Sequence, residues 1–214
     1  MFAKIYDLLM SDIDYHELLN LIKPYIRKED LILDAGCGSG YFLKELLEED
    51  FYAIGIDHDD EMLAIADERL KSAHLKAALY HHDLRDPLAA KVDVIVSFFD
   101  VFNYFKGVKK VIKHLHQALY DEGRLIFDVY KEDVLKDYDG YEESDTIPID
   151  YHWKIHVNNH MLIHDVNVDD VSHQVKQYVM PLDYYINVLK ELKFKNIDVI
   201  DGPDERKHYI IATK

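Results

Sequence analysis

The amino-acid sequence predicts an α/β fold, in which a seven-stranded and mostly parallel sheet carries helices on both faces and a small antiparallel lid follows the fifth strand. Two patterns indicate this fold. Over the first 130 residues, short runs rich in β-branched and aromatic residues alternate with amphipathic helical segments, as in successive βαβ units. After residue 130, apolar and polar residues alternate along several runs, as in antiparallel strands with one face in water. We therefore expect one domain over residues 1–214, with the lid at residues 147–180.

The parallel part of the sheet is predicted from apolar runs separated by helical patterns. Strands are predicted at residues 31–36, 51–57, 76–83, 92–100 and 124–130, and helices at residues 14–27, 41–49, 59–71 and 107–120. Phe42, Leu43, Leu46 and Leu47 have the spacing of one helix face. Acidic residues fill the first turn of the helix at 59–71, where the helix dipole favours negative charge.

The lid is predicted from three strands, at residues 149–159, 161–170 and 171–180. The first strand has an apolar face and a polar face, formed respectively by Tyr151, Trp153, Ile155 and Val157 and by His152, Lys154, His156 and Asn158. The third run also has helical spacing, because its valines lie four residues apart, so strand and helix both stay open there.

The chain is predicted to return to the main sheet after the lid. A helix is expected at residues 182–194, followed by two terminal strands at 196–201 and 207–214 that form a hairpin at one sheet edge. These two strands bring the predicted sheet to seven.

Composition limits the classes of partner. The net charge of −16 weighs against nucleic acid, because proteins that bind the phosphate backbone carry a basic stripe. The single cysteine, Cys37, rules out a disulfide within the chain and a Cys-rich metal site, and no H-E-x-x-H motif occurs, so no metal site is expected. The N-terminus lacks the pattern of a signal peptide, and no run approaches the ~18 apolar residues that span a bilayer. We expect a cytoplasmic protein without a membrane partner, either a monomer or a homodimer.

A glycine-rich loop follows the first predicted strand and indicates a nucleotide-like ligand. Asp34 precedes Gly36, Gly38 and Gly40. A dinucleotide loop has the form G-x-G-x-x-G, and here Tyr41 occupies the position of its third glycine. The G-x-x-x-x-G-K-[ST] loop of nucleoside-triphosphate sites is absent. A carboxylate at Asp34 would repel a pyrophosphate, whereas it suits a ligand with an ammonium or sulfonium group.

The D-x-G-x-G-x-G pattern resembles the signature of class I S-adenosylmethionine-dependent methyltransferases, and the resemblance continues at the ends of the next three strands. Asp57 ends strand two, where this family places an acidic residue on the ribose hydroxyls, and Met62 follows where an apolar side chain packs on the adenine. Asp83, in "HHDL", matches the residue that accepts from the adenine amino group. "SFFD" at 97–100 matches the segment beside the methionine moiety and the substrate.

The resemblance implies a Rossmann-like fold, S-adenosyl-L-methionine as cofactor and S-adenosyl-L-homocysteine as product. The implied cofactor-binding residues are Asp34, Gly36, Cys37, Gly38, Gly40, Asp57, His58, Met62, Asp83, Leu84, Phe98 and Tyr6. The segments "FAKIYDLLM", "DVFNYF", "LIFDVY", "SHQVKQY" and "GPDERKHYIIATK" are also similar to the small bacterial YqeM-like methyltransferases. That similarity implies a reaction class and leaves the methyl acceptor open.

Candidate catalytic residues are Asp100, Tyr104 and His82, because methyl transfer needs alignment and, for a protonated acceptor, a base. The proline-rich motif typical of amino-group methylation of bases is absent, and Cys37 is misplaced as a nucleophile for carbon-5 methylation. Together with the acidic composition, this favours a small-molecule acceptor. Two alternatives stay open: an S-adenosylmethionine-binding module or partner subunit without catalysis, and a nicotinamide-dependent dehydrogenase.

Overall fold

The computed structural model describes residues 3, 7, 10, 11, 13–147, 149–168 and 171–214. The helices are α1 Tyr15–Ile22, α2 Tyr41–Glu48, α3 Asp60–Ser72, α4 Lys109–Ala118, α5 Val134–Asp137 and α6 Leu182–Glu191, with short 3-10 turns at Lys23–Tyr25 and Val101–Tyr104. The strands are β1 Leu31–Ala35, β2 Tyr52–Asp57, β3 Leu79–His81, β4 Val92–Ser97, β5 Leu119–Tyr130, β6 Glu142–Asp145, β7 Tyr151–Asn158, β8 Met161–Val168, β9 Val171–Tyr178, β10 Lys195–Ile200 and β11 Lys207–Thr213.

Seven strands form the main sheet, in the order β10-β11-β5-β4-β1-β2-β3. The strands from β1 to β5 pair in parallel, and β11 pairs antiparallel with both β5 and β10. This arrangement confirms the predicted fold class, including the terminal hairpin with β10 at the sheet edge. From the neighbouring strands β1 and β4, the strand order continues to β2 and β3 on one side and to β5 on the other. The carboxyl ends of β1 and β4 therefore flank the switch point where open α/β sheets bind ligands.

Alternate residues along the central strands face two separate apolar layers. Leu33 and Ile95 pack with helices α4 and α6, and Ile32 and Val94 pack with α1 and α2 on the other face. The strands are therefore buried on both sides, which explains why their sequences are nearly continuous apolar runs. Within the described ranges, no helix reaches the length and apolar character that crossing a bilayer requires.

The four-stranded antiparallel sheet β6-β7-β8-β9, called the lid below, lies between β5 and α6 in the chain. The third predicted run is a strand rather than a helix, since β9 pairs with β8 from Val168↔Val171 to Met161↔Tyr178. One strand was missed in the sequence: β6, with the polar sequence EESD, pairs with β7. It lacks any alternation of apolar residues, so only its pairing partner defines it.

Helices α2 and α3 pack closely at Gly40, and this contact provides a test of the fold. Gly40 has φ +81°, and a Cβ there would lie 2.9 Å from the Cβ and 3.2 Å from the Cα of Ala66. Gly40→Ala is expected to lower the free energy of unfolding by about 2–4 kcal/mol, from left-handed strain and overpacking together. Gly140→Ala is the matched control, since Gly140 has φ +82° and no neighbour within 4 Å. Urea unfolding that gives equal losses for both variants would contradict the packing argument.

Candidate active site

The glycine loop between β1 and α2 is shaped by its neighbours on β2 and after β4. The backbone N–H groups of Gly36 and Cys37 both donate to the carbonyl of Ile56, at 2.8 and 3.0 Å. Gly36 has φ +84°, and a Cβ there would lie 2.7 Å from Val101. Gly38 has φ +51° and no neighbour within 4 Å of its missing Cβ, so the loop leaves open space at this point. Backbone can therefore approach a ligand closely at Gly38.

Asp34 lies beneath this loop as a buried carboxyl group. Its side chain is 3% exposed, and its Oδ2 has no hydrogen-bond partner among the described residues. Burial, and secondly the nearby charge of Asp57, raise the pKa of Asp34 to about 8. A buried carboxylate without a partner is unfavourable unless something donates to it, which indicates a cationic ligand group at this position.

Asp57 ends β2 and connects the loop to helix α3. Its Oδ2 accepts from Gly38 N and its Oδ1 from Asp59 N, both at 2.9 Å, and His58 Nδ1 lies 3.3 Å from Oδ1. Burial raises the pKa of Asp57, but the hydrogen bonds from His58, Asp59 and Gly38 outweigh it and leave the pKa below its usual range. The carboxylate is thus held ionised beside the loop, with further lone pairs available for hydroxyl donors.

The far end of the same cavity is lined by the residues after β2 and β3. Asp59 caps α3 and directs Met62 into the cavity wall, where Leu84 also lies buried. Asp83 is held by Arg85, whose guanidinium donates to both of its oxygens at 2.9 Å, and Arg85 lowers the pKa of Asp83 to about 2. Arg85 also lines the cavity and was missed in the sequence, where it reads as an ordinary loop residue.

The remaining predicted cofactor residues line the same cavity of about 550 Å³, apart from Gly40, which packs against Ala66 instead, and Tyr6. Cys37 is buried, and burial followed by Asp34 raises the pKa of its thiol well above the ordinary value, so the sulfur is a poor nucleophile. Phe98 is buried against Phe42 in an edge-to-face contact. Tyr6 lies outside the described residues, and Tyr15, stacked on Tyr41, lines the cavity on that side.

A second cavity, of about 570 Å³, lies between the main sheet and the lid. The two cavities share Met10, Phe99, Tyr104 and Val175 as lining residues. The first is called the cofactor cavity below and the second the acceptor cavity, because the predicted nucleotide residues line only the first. A group passing between them must pass Phe99 and Tyr104.

A buried charge cluster closes the bottom of the acceptor cavity. Lys207 Nζ, on β11, donates to Asp100 Oδ1 at 2.8 Å and to Asp128 Oδ2 at 3.1 Å. Asp128 in turn accepts from the backbone N–H groups of Phe99 and Asp100, which have φ +62° and +55°. Although burial lowers the pKa of Lys207, the two carboxylates raise it well above the ordinary value, so the lysine is charged. The cluster therefore holds the strained turn after β4 in shape.

Two hydrogen bonds join the lid to the segment after β4. Gln177 Nε2 donates to Asp100 Oδ2, and Asn103 Nδ2 donates to the carbonyl of Tyr178 at 2.9 Å. Deeper in the lid, Trp153 Nε1 donates to His164 Nδ1 at 3.2 Å. None of these lid residues was singled out in the sequence except as part of an alternating pattern, since only strand pairing brings them over the site.

The three candidate catalytic residues occupy different places. Asp100 lines the acceptor cavity and Tyr104 the boundary between the cavities. His82 lies beside Asp83 in the cofactor cavity, with its Nε2 3.2 Å from the carbonyl oxygen of Asp86. The geometry thus brings Asp100 and Tyr104 together and leaves His82 at the nucleotide end. Among the described residues, no group of three His, Cys, Asp or Glu side chains has the geometry of a metal site.

Comparisons with known proteins place this arrangement among related sequences and folds. A methyltransferase-domain family matches residues 32–123. The putative methyltransferase YqeM of Bacillus subtilis is 28% identical over 213 residues, which cover 91% of this chain and 85% of that protein. The fold is similar to an S-adenosylmethionine-dependent methyltransferase from Clostridium acetobutylicum, with a TM-score of 0.83, 21% identity and coverage of 99% and 97% of the two chains. A sugar N-methyltransferase from a Streptoalloteichus species gives a TM-score of 0.81 and 17% identity over 98% of this chain and 92% of its own.

Proposed function

We propose that this chain is a class I S-adenosylmethionine-dependent methyltransferase, similar to YqeM, and that it transfers the methyl group to a small molecule bound in the acceptor cavity. The matching methyltransferase family and the related proteins agree with the family, the enzyme class and the cofactor that the sequence motifs predict. The observation that carries the proposed site is Asp34, whose buried Oδ2 has no partner within the described part of the chain. The α-ammonium group of S-adenosylmethionine would supply a donor to this oxygen.

The residues of the cofactor cavity fit S-adenosylmethionine in charge and shape. Asp34 would accept from the ammonium group, Gly38 leaves the backbone room for the ligand, and Asp57 has lone pairs for the two ribose hydroxyls. Met62 and Leu84 supply apolar surface for the adenine. When bound, the cofactor supplies a methyl group already activated by its sulfonium sulfur.

The protein residues then have to orient the acceptor and exclude water. Phe99 and Tyr104 lie where the two cavities meet, so they form the walls of the path between methyl donor and acceptor. The lid covers the acceptor cavity and is bonded to the turn after β4 through Gln177. Enclosure of this kind favours a single approach direction and removes competing water.

The size of the acceptor cavity supports a small-molecule acceptor. A volume of about 570 Å³ lies within the ~300–1,000 Å³ range typical of small-ligand sites. The lid that covers it would hinder a folded macromolecule. One of the structural neighbours above methylates a sugar nitrogen, and an acceptor of comparable size suits this cavity.

Asp57→Ala tests the cofactor site. We expect at least about a tenfold weaker affinity for S-adenosylmethionine, because the loss of hydrogen bonds to a charged group costs about 1.5–3 kcal/mol. Isothermal titration calorimetry measures the dissociation constant. Asp60→Ala is the matched control: Asp60 is an exposed carboxylate in the first turn of α3, and its variant should bind within about twofold of the wild type.

The same titrations separate the proposed function from the alternatives. Tighter binding of NAD than of S-adenosylmethionine would overturn the cofactor assignment. Binding without conversion to S-adenosylhomocysteine, across a broad panel of small metabolites analysed by mass spectrometry, would favour a binding module without catalysis.

A further inference from the structure

Two buried polar atoms on the inner face of the lid make no hydrogen bond of ordinary geometry to the described residues, although the side chains of His164 and Gln177 interact with each other and both line the acceptor cavity. They are His164 Nε2 and Gln177 Oε1. His164 is 6% exposed and Gln177 is 3% exposed, so neither group is satisfied by bulk solvent. Buried polar atoms are nearly always hydrogen-bonded, and an unsatisfied pair beside a cavity indicates a ligand that completes them.

The tautomer of His164 follows from its neighbour. Trp153 Nε1–H is a donor only, and it points at His164 Nδ1 at 3.2 Å. Nδ1 must therefore carry the lone pair, and the neutral ring carries its proton on Nε2. Burial also lowers the pKa of His164, which favours the neutral ring. His164 thus presents an N–H donor to the cavity.

The orientation of Gln177 follows in the same way. Asp100 Oδ1 accepts from Lys207 Nζ, and the oxygens of a carboxylate in such an ion pair only accept hydrogen bonds. The atom of Gln177 that faces Asp100 Oδ2 must be the amide nitrogen, so the amide oxygen is the atom left over. Gln177 thus presents an acceptor to the acceptor cavity. This position is close to the junction of the two cavities, because Val175 on the same strand lines both of them.

The charge of the cavity wall selects among ligands that carry both a donor and an acceptor. Five carboxylate side chains and two cationic side chains line the acceptor cavity: Asp14, Glu17, Asp100, Asp204 and Glu205, against Arg206 and Lys207. Both cations are already paired, Arg206 with Asp204 and Lys207 with Asp100 and Asp128. An anionic ligand would therefore meet uncompensated negative charge.

The aromatic side chains of the same wall also favour a cationic ligand over an anionic one. Five rings line the cavity: Phe99, Tyr104, Tyr130, Trp153 and Tyr209. Aromatic faces attract cations, and Lys207 Nζ already lies 5.3 Å from the ring centres of Phe99 and Tyr130. A cavity with acidic and aromatic walls favours a basic nitrogen over a carboxylate or phosphate.

We propose that the methyl acceptor is a small amino alcohol, whose amine N–H is held by Gln177 Oε1 while a neighbouring hydroxyl oxygen accepts from His164 Nε2–H. The proposal rests on the proposed function and specifies its acceptor. With its N–H groups bound to Gln177, the neutral amine keeps its lone pair free. The amine, which the acidic wall attracts as an ammonium ion, loses one proton to bulk water before transfer. Its nitrogen then forms the new N–C bond as the methyl carbon–sulfur bond breaks with its electron pair left on sulfur, and the product leaves as the methylated ammonium ion.

The substrate class is tested with a library of matched triplets. Each triplet holds an amino alcohol or amino sugar, its counterpart without nitrogen, and a counterpart that carries a carboxylate; glucosamine, glucose and glucosaminic acid form one. The wild-type protein with S-adenosylmethionine is expected to methylate only the first member of each triplet, the amine without a carboxylate, as seen by mass spectrometry. Methylation confined to the other two classes, or of no amine in the library, overturns the proposal.

The roles of the two lid residues are tested with the amine found in this way. His164→Phe keeps the ring volume and should raise the KM for the amine at least tenfold, with kcat and the calorimetric affinity for S-adenosylmethionine each within about twofold. Gln177→Met should likewise raise that KM. His156→Phe is the matched control: His156 is an exposed lid histidine that lines neither cavity, and its variant should keep the KM within about twofold of the wild type. Equal KM values in His164→Phe and the wild type overturn the role of His164.

A spectroscopic measurement does not depend on turnover. In ¹⁵N NMR, the His164 signals, assigned by their loss in His164→Phe, should show a protonated Nε2 and an unprotonated Nδ1 at neutral pH. Adding the amine should move the Nε2 signal more than the Nδ1 signal. An Nδ1–H tautomer or an imidazolium overturns the assignment. Failure of S-adenosylmethionine to bind at all would instead count against the proposed function.

Discussion

Asp34→Asn is expected to weaken the binding of S-adenosylmethionine by about 10- to 100-fold, because it removes a charge-assisted hydrogen bond worth about 1.5–3 kcal/mol. The same substitution is expected to stabilise the ligand-free protein at alkaline pH. In the absence of ligand, the ionised carboxylate is buried, lacks a partner on Oδ2 and lies near Asp57. Affinity and stability should therefore change in opposite directions.

The pH dependence follows from the raised pKa of Asp34. The pKa of Asp34 is about 8 in the folded protein, against 3.8 for an ordinary aspartate. Between pH 3.8 and about pH 8, the folded state therefore keeps a proton that the unfolded chain has lost. The contribution of Asp34 to the free energy of unfolding therefore falls as the pH rises from about 4 to about 8. Ligand binding needs the ionised form, so the affinity for S-adenosylmethionine should increase toward pH 8, by up to about tenfold per unit.

Calorimetry and urea unfolding measure both effects. At pH 7, binding by the wild type should release up to one proton, detected by repeating the titration in two buffers of different ionisation enthalpy. Asp34→Asn should release less, and its urea midpoint at pH 8.5 should exceed that of the wild type. Asp60→Asn, an exposed change of equal charge, serves as control. An affinity for the wild type that stays constant from pH 6 to pH 8 would contradict the role given to Asp34.

Lys207→Met is expected to lower the free energy of unfolding by about 3–5 kcal/mol, the usual loss when one partner of a buried ion pair is removed. Asp128 is 1% exposed and Asp100 is 7% exposed, so the variant leaves two buried carboxylates facing each other. Asp128 also fixes the backbone of Phe99 and Asp100, so the turn after β4 should loosen and methyl transfer should slow. The affinity for S-adenosylmethionine should change less than the rate.

A double variant isolates the charge effect. Asp128→Asn added to Lys207→Met removes one of the two carboxylates, so the double variant should be more stable than Lys207→Met alone, although each single change destabilises. Lys195→Met is the surface control: the ion pair between Lys195 and Glu122 is exposed, and its loss should cost less than about 1 kcal/mol. Urea unfolding in which Lys207→Met and Lys195→Met lose equal stability would show that the buried cluster is not stabilising.

The cofactor half of the site could be predicted from the sequence, because its residues follow strands directly. Asp34, Asp57 and Asp83 each lie at or just after a strand end, and parallel strands bring those ends to one edge of the sheet. The expected ligand followed from the D-x-G-x-G-x-G pattern that begins at Asp34, together with Asp57 and Asp83 at the next strand ends, rather than from the glycines alone. Such features depend on local sequence and a known topology.

The acceptor half could not be predicted, because long-range pairing assembles it. Lys207 reads as the polar start of a terminal strand, and only the pairing of β11 with β5 puts it against Asp128. Gln177 and His164 belong to an alternating pattern that gives a face but no partner. The lid registers His164↔Val175 and Leu162↔Gln177 decide which polar side chains reach the cavity. A shift of one residue would have turned each of them away.

The lid determines which segments of the chain line the acceptor cavity. Its contribution to the acceptor cavity comes from alternate positions on β7, β8 and β9, among them Trp153, His164 and Gln177. The residues proposed to bind the cofactor come from β1, β2, the segments that follow them and, for Leu84, the segment after β3. We therefore expect substitutions at His164 and Gln177, which line only the acceptor cavity, to change the choice of acceptor more than the binding of the cofactor. The acceptor cavity and the cofactor cavity thus depend largely on different segments of the chain.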